Sequence, residues 1–140
     1  MLKKSFSLLI VLFISSIIFA DGVLPEGSGT EADPYQVEIL DNLLWISTNP
    51  YSWSSYFVQT DDINASDTQN WNNGDGFEPI GIYENRFTGS YNGQYHIIDG
   101  LYINREMEYN IGLFGFTEGT VLENIGLLNT NVLGRGKLVD

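Results

Sequence analysis

The chain reads as an all-β solenoid, and three observations carry that reading. Ile98-Asp99-Gly100-Leu101-Tyr102-Ile103 and Leu122-Glu123-Asn124-Ile125-Gly126-Leu127 share one pattern, apolar at the first, fourth and sixth places, 24 residues apart. A period of about 20–50 residues is the signature of stacked units, each burying an apolar row against the next. Near-alternation within each copy is the period of a strand that buries one face. Finally, the connection from Tyr109 to Thr120 carries Gly112, Gly115 and Gly119, which makes a poor helix. The competing leucine-rich-repeat skeleton fits Leu122, Ile125, Leu127 and Val132. It fails at Thr130, which occupies the Asn place, and at Glu106 and Glu108 in the preceding copy.

Residues 1–20 read as a secretory signal: Lys3 and Lys4 precede an apolar run from Phe6 to Phe19, and Ala20 precedes Asp21. The run is short of the roughly 20 residues that cross a bilayer as a helix, so a retained anchor is the weaker alternative. There is no cysteine, which excludes a lipid-anchored lipoprotein and any disulfide contribution to stability. Removing residues 1–20 takes away two lysines and no acids, leaving four basic and 18 acidic residues, a formal charge of −14. Such a surface repels nucleic acid and anionic lipid. A secreted or cell-surface protein is expected, with no membrane insertion after signal removal.

Residues 21–34, rich in Gly, Pro, Ser and Glu, read as an exposed lead-in. Residues 35–140 are expected to form the N-terminal cap and first coils. Tyr35, Val37 and Ile39 alternate behind Pro34 as a first strand. Leu40, Leu43, Leu44 and Ser47 share a helical face, with Asp41 near its start and Asn49-Pro50 at its end, so a short capping helix is predicted. Tyr56 to Ile63 returns to β-type residues, and Ile63-Asn64 aligns with Ile103-Asn104 if Asp67 to Pro79 is an inserted loop. Phe87 to Gly93 alternates and closes on an Asn-Gly turn, and Tyr95 to Asn104 forms the main strand. Ile111 to Phe116 would take the place of Phe87 to Asn92 one coil later, and Val121 to Val132 the last strand row. No closing cap follows, so the solenoid is expected to be incomplete at its C-terminus, with an open coil edge available for self-association.

Gly112-Leu113-Phe114-Gly115 resembles the GLUG motif of bacterial surface and secreted proteins. Gly27-Ser28-Gly29-Thr30 with Asp33-Pro34-Tyr35, Phe87 to Gly93, His96 to Leu101 and Ile125-Gly126-Leu127 are similar to the same group. The resemblance implies a right-handed parallel β-helix of the adhesin-like kind, a structural motif, and no catalytic residues. The chain departs from the family in length, since about one such unit is present where many usually follow.

Candidate chemistry is sparse. Asp61, Asp62 and Asp99 are the acids nearest strand ends, where paired carboxylates serve acid–base cleavage of polysaccharide. No Arg or Lys lies near in sequence to complete a lyase-like site, and outward solvated positions are the simpler reading. Asn70, Asn72, Asp75 and Glu78 concentrate oxygens in one Gly-containing loop, which suits calcium, although the spacing is not that of an EF-hand and Asn with Gly is ordinary turn chemistry. Trp71, Tyr83 and Tyr102 offer stacking faces for an extracellular glycan or a host or neighbouring-cell surface protein. Loop anchoring competes for Trp71. His96 is the single histidine, so neither a metal cluster nor a His-dependent triad is expected, and no catalytic residue is assigned. The favoured function is a non-catalytic adhesin-like or scaffold segment. The alternative is a carbohydrate-active enzyme or sugar-binding module.

Overall fold

The computed structural model describes residues 21–135; the expected signal at 1–20 and the final residues 136–140 lie outside them. The elements in chain order are β1 (Tyr35–Val37), α1 (Leu40–Thr48), β2 (Tyr56–Gln59), β3 (Ile63–Asn64), β4 (Ser90–Asn92), β5 (Ile97–Asp99), β6 (Tyr102–Arg105), β7 (Val121–Glu123), β8 (Gly126–Leu128) and β9 (Asn131–Gly134). Short 3-10 helices cover Pro50–Ser52, Ser66–Asn70 and Asn72–Gly74. The strands form three small sheets in the orders β1-β2-β4-β7, β3-β5-β8 and β6-β9. Every pairing between them is parallel.

The expected all-β right-handed parallel β-helix is corrected by this arrangement: short strands in small parallel sheets, together with one helix, make a mixed small domain. The 24-residue spacing is not the pairing register. Tyr91 pairs with Leu122, Ile98 with Leu127 and Ile103 with Val132, so partners lie 29 to 31 residues apart. Leu101 and Ile125, expected to stack, both lie outside the strands. Ile63 pairs with Ile98, not Ile103. The expected strand at Ile111 to Phe116 is absent; its backbone makes an isolated parallel bridge, Phe114 with Ile80, followed by a second one just beyond it, Thr117 with Phe87, and Leu113 and Phe114 pack into the core. The physical reason lies in the turns. Gly100 and Asn129 both adopt left-handed backbone, with φ of 76° and 49°, and break the expected continuous strands at matching places in the β5–β8 pairing.

Helix α1 forms where the periodicity predicts it, with a small rotation of its face: Asn42, Leu43, Ile46 and Ser47 are the buried residues. Asn42 closes its entrance, its Oδ1 accepting from the Glu38 and Ile39 amides at 3.0 and 3.1 Å while its Nδ2 donates to the Val23 carbonyl at 2.9 Å. Residues 21–23 are thereby held against the helix, where Val23 also donates to the Asp41 carbonyl at 2.9 Å and Thr48 Oγ1 donates to the Asp21 carbonyl at 3.1 Å. At the other end, Trp53 Nε1 donates to the Ile46 carbonyl at 2.7 Å, meeting one of the last carbonyls of the helix.

The core is an aromatic chain with aliphatic flanks. Trp45 meets Tyr35 edge-on at 5.5 Å; Tyr35 lies 5.5 Å from Phe57, Phe57 6.0 Å from Phe87, and Phe87 5.0 Å from Phe114. Tyr91 joins edge-on to Phe114 at 5.6 Å. One buried polar network crosses this core. Gln59 donates through Nε2 to the Asp61 and Ile97 carbonyls at 2.9 and 3.3 Å, and its Oε1 accepts from the Tyr91 hydroxyl at 3.1 Å. It connects β2 and β4 of one sheet to β5 of the next.

Burial is uneven along the sheets. Tyr91, Ile98 and Ile103 are fully buried, whereas their partners in the last row, Leu122, Leu127 and Val132, are 38%, 47% and 39% exposed. Replacing Ile98 with Ala is expected to cost about 2–5 kcal/mol in urea unfolding. In dilute, monomeric protein the paired substitution Leu127→Ala is expected to cost less than about 1 kcal/mol, because about half of that side chain already contacts water. Equal losses at the two positions would show that the last row is covered in solution.

Burial also pushes the Tyr91 phenol far above its ordinary range. The folded state holds the neutral form, so the contribution is complete below the unfolded-state value near 10 and is lost as pH rises above it. Stability measured from pH 7 to 11 is expected to fall above about pH 10. Tyr91→Phe should blunt that alkaline loss while costing about 1 kcal/mol at pH 7, through the unpaired Gln59 oxygen.

Candidate ligand-binding cleft

Two walls of different origin form an open recess. The first is the turn after α1: Asn49 donates to the Ile46 carbonyl at 3.3 Å, Pro50 opens a 3-10 turn, and Trp53 is buried with 3% exposure. The second is the turn Ile82 to Asn85, closed by reciprocal backbone bonds between those two residues at 3.0 and 3.2 Å. Its flanks are sunk in the core, because Ile80 and Phe87 are fully buried. Gly81 makes this possible: at φ 88°, a Cβ there would collide with the Phe116 carbonyl, whose neighbourhood the backbone must enter. The Thr88 and Gly89 amides donate to the Trp53 carbonyl at 2.9 and 2.8 Å, fastening one wall to the other.

The recess between them is about 430 Å³ and is lined by Tyr51, Trp53, Tyr83, Glu84, Asn85, Arg86 and Glu118, among others. Tyr51 is 97% and Tyr83 65% exposed. The Arg86 guanidinium lies 5.6 Å from the Tyr83 ring centre, and its Nη1 is 3.1 Å from Glu118 Oε1. Tyr83 also meets Phe116 edge-on at 5.7 Å. A partly exposed ion pair of this type is worth only about 0–1 kcal/mol, so its consequence is orientation of the tyrosine and the carboxylate more than stability. Asn85 Nδ2 reaches the Pro50 carbonyl at 3.4 Å across the recess.

Of the sequence-predicted stacking residues, only Tyr83 lines this recess. Trp71 is half-buried and packs on Phe77 at 6.4 Å, an anchor for the 3-10 turns. Tyr102 sits beside that anchor on β6: its amide donates to Thr68 Oγ1 at 2.9 Å and its carbonyl accepts from Phe77 at 2.9 Å. The four proposed calcium ligands lie along the 3-10 turns and the loop that follows them. Asn70 ends a 3-10 turn, and Asn72 Nδ2 is spent on the Gly76 carbonyl at 2.8 Å. Asp75 and Glu78 line separate recesses, both of which include Arg105. Among the described residues, no group of three or more His, Asp or Glu side chains is placed to hold a metal ion.

Each of the three candidate acids accepts a hydrogen bond at the exposed surface. Asp61 Oδ1 accepts from the Asp62 amide at 2.7 Å, Asp62 Oδ1 from the Ile97 amide at 2.8 Å, and Asp99 Oδ1 from Asn129 Nδ2 at 2.8 Å. His96 Nδ1 lies 3.4 Å from the same Asp62 oxygen. Sequence reasoning missed Tyr51, Glu84, Asn85, Arg86 and Glu118. A usable signal was present: Tyr83-Glu84-Asn85-Arg86 is a polar run carrying one aromatic between the apolar anchors Ile80 and Phe87.

No family model matches the chain, and no solved structure does. Two curated proteins are similar to it. Halomucin of Haloquadratum walsbyi is 41% identical over 112 residues, 77% of this chain and 1% of halomucin. A protein of Evansella cellulosilytica described as a Gly-rich membrane protein is 35% identical over 118 residues, 81% of this chain and 13% of that protein. The chain therefore corresponds to a small part of each.

Trp71 is half-buried on Phe77 whereas Tyr83 is mostly exposed, so the two contribute differently to stability. Trp71→Ala is expected to lower stability by about 2–3 kcal/mol, from the lost packing on Phe77. Tyr83→Ala is expected to change it by less than about 0.5 kcal/mol, as at other exposed positions. Chemical denaturation of both variants checks the contrast.

Proposed function

We propose that this chain is an exported, non-catalytic segment that works at the cell surface as an adhesin-like binding or scaffold unit of the GLUG-motif kind. The observation that carries the reading is the likeness of more than three quarters of the chain to short stretches of two far longer proteins, one a halomucin and the other a Gly-rich membrane protein. The basic and apolar start of the sequence supports export. The hydrogen bonds that tie Asp62 to the Ile97 amide and Asp99 to Asn129 support a non-catalytic role over the polysaccharide-cleaving alternative. Self-association belongs to the same proposal: β7, β8 and β9 are the outer strands among the described residues, and their exposed apolar side chains suit a second copy.

Fractionation of the native host, with protease treatment of intact cells, is expected to find the protein outside the cytoplasm and accessible to protease. Recovery from the cytosol alone would sink the proposal. Sedimentation of the purified chain is expected to show concentration-dependent association that Leu127→Lys abolishes. Polysaccharide cleavage that disappears in the Asp61→Asn, Asp62→Asn or Asp99→Asn variants would replace this reading with the enzymatic one.

A further inference from the structure

We propose that the recess between Pro50–Ser54 and Tyr83–Thr88 is a binding subsite for a neutral saccharide, stacked on Tyr51 and Tyr83 and hydrogen-bonded by Glu84, Asn85 and Glu118. The inference deepens the surface-binding reading above and rests on it for its biological setting. Its chemical basis is independent.

Three properties of the recess select the ligand. The first is shape: about 430 Å³, open to solvent, falls within the size range of small-molecule sites and suits a sugar unit of a longer chain. The second is the pairing of faces with edges. A pyranose ring has an apolar C–H face and a rim of hydroxyls. Tyr51 and Tyr83 supply wet, exposed rings for the face, each with little freedom to lose on binding. The carboxylates of Glu84 and Glu118 accept from hydroxyls in charge-assisted bonds, and the Asn85 amide both donates and accepts.

Charge is the third. Arg86 is the single cation lining the recess, and it already faces Glu118 at 3.1 Å and the Tyr83 ring at 5.6 Å. Two carboxylates and one committed guanidinium leave a net negative rim, which disfavours uronic acids and sulfated sugars. The same Arg86 contacts hold Tyr83 and Glu118 before the ligand arrives, reducing the ordering cost of binding. Arg86 is a positioning residue here, whereas Tyr51, Tyr83 and Glu118 touch the sugar.

The test uses the purified full chain and a defined panel: neutral gluco-, manno- and galacto-hexaoses, with a hexauronate of equal length as the acidic arm. Saturation-transfer NMR and titration are expected to show at least one neutral hexaose binding with a Kd of about 0.1–1 mM. The hexauronate is expected to bind at least about tenfold more weakly at low salt. Tyr51→Ala and Tyr83→Ala should each weaken the neutral interaction at least about tenfold with an unchanged melting temperature. Glu118→Gln should narrow the gap between neutral and acidic ligands, because it frees Arg86. Failure of every neutral hexaose to bind, preference for the hexauronate, or binding indifferent to both tyrosines would overturn the proposal. Because the assay is made on purified protein, these outcomes are independent of where the protein resides in the cell, so the subsite and the surface reading fail separately.

Discussion

In-register parallel pairing is the constraint on which the rest of the structure depends. It sets Tyr35 against Phe57, Phe57 against Tyr91 and Tyr91 against Leu122, one inward residue from each of four strands. It does the same for Ile63, Ile98 and Leu127 in the second sheet and for Ile103 and Val132 in the third. A slip of one residue would turn every one of these side chains to water and bring its polar neighbours inward. With no disulfide available, this alternation and the backbone ladders carry the stability. Gln59 and Tyr91 add a restriction of a different kind, since a slipped register would leave a buried amide and a buried hydroxyl unpaired.

The two ends of these rows are treated differently. At the β1 end, α1 brings Leu43 and Ile46 over the core, and the antiparallel bridge of Glu26 with Gln36 occupies the strand edge. At the other end, β7, β8 and β9 present Leu122, Leu127 and Val132 to solvent. An apolar row of this sort is costly in water and is a template for further pairing. The core therefore grades from dry to wet along the pairing direction, and removing a methyl group has different consequences at equivalent positions.

Much of the fold was legible because local chemistry and tertiary role agree. Leu40 to Thr48 carries helical spacing, an early Asp and a following Asn-Pro, and it is a helix over those residues. The alternating segments around Tyr35, Tyr56, Ser90, Ile97 and Val121 all contain strands. What failed was the matching of one segment to another. Ile98-x-x-Leu101-x-Ile103 superposes well on Leu122-x-x-Ile125-x-Leu127 as a string, yet pairing is decided by where the chain turns, and Asn129 is the turn that answers Gly100. Asn takes the left-handed conformation almost as Gly does, so the equivalence was hidden by a change of residue type. The site was less legible still. Tyr83 and Trp71 look alike as aromatics amid polar residues, and only tertiary placement shows that Trp71 packs on Phe77 while Tyr83 faces a recess. Tyr51 and Glu118 meet there from segments far apart in the chain, a distance no local pattern reports.

That separation in sequence links the recess to the register. Its walls are fastened through the Thr88 and Gly89 amides to the Trp53 carbonyl, and through Phe87 to the Phe116 carbonyl and the Glu118 amide. These contacts exist only when Phe87 lies beside Thr117 and β4 lies between β2 and β7. Tyr51, Arg86 and Glu118 are therefore juxtaposed only in the folded register, and unfolded chain offers a ligand none of that arrangement. A molecule that contacts both walls must stabilise the register by its own binding free energy. The charge pattern works in the same direction: the arginines among the described residues already sit against carboxylates or rings, Arg86 with Glu118 and Tyr83, Arg105 with Glu108, and Arg135 over Tyr109. The remaining acids are left to repel anionic partners, so selection at this surface falls on ligands that offer hydroxyls and apolar faces in place of negative charge.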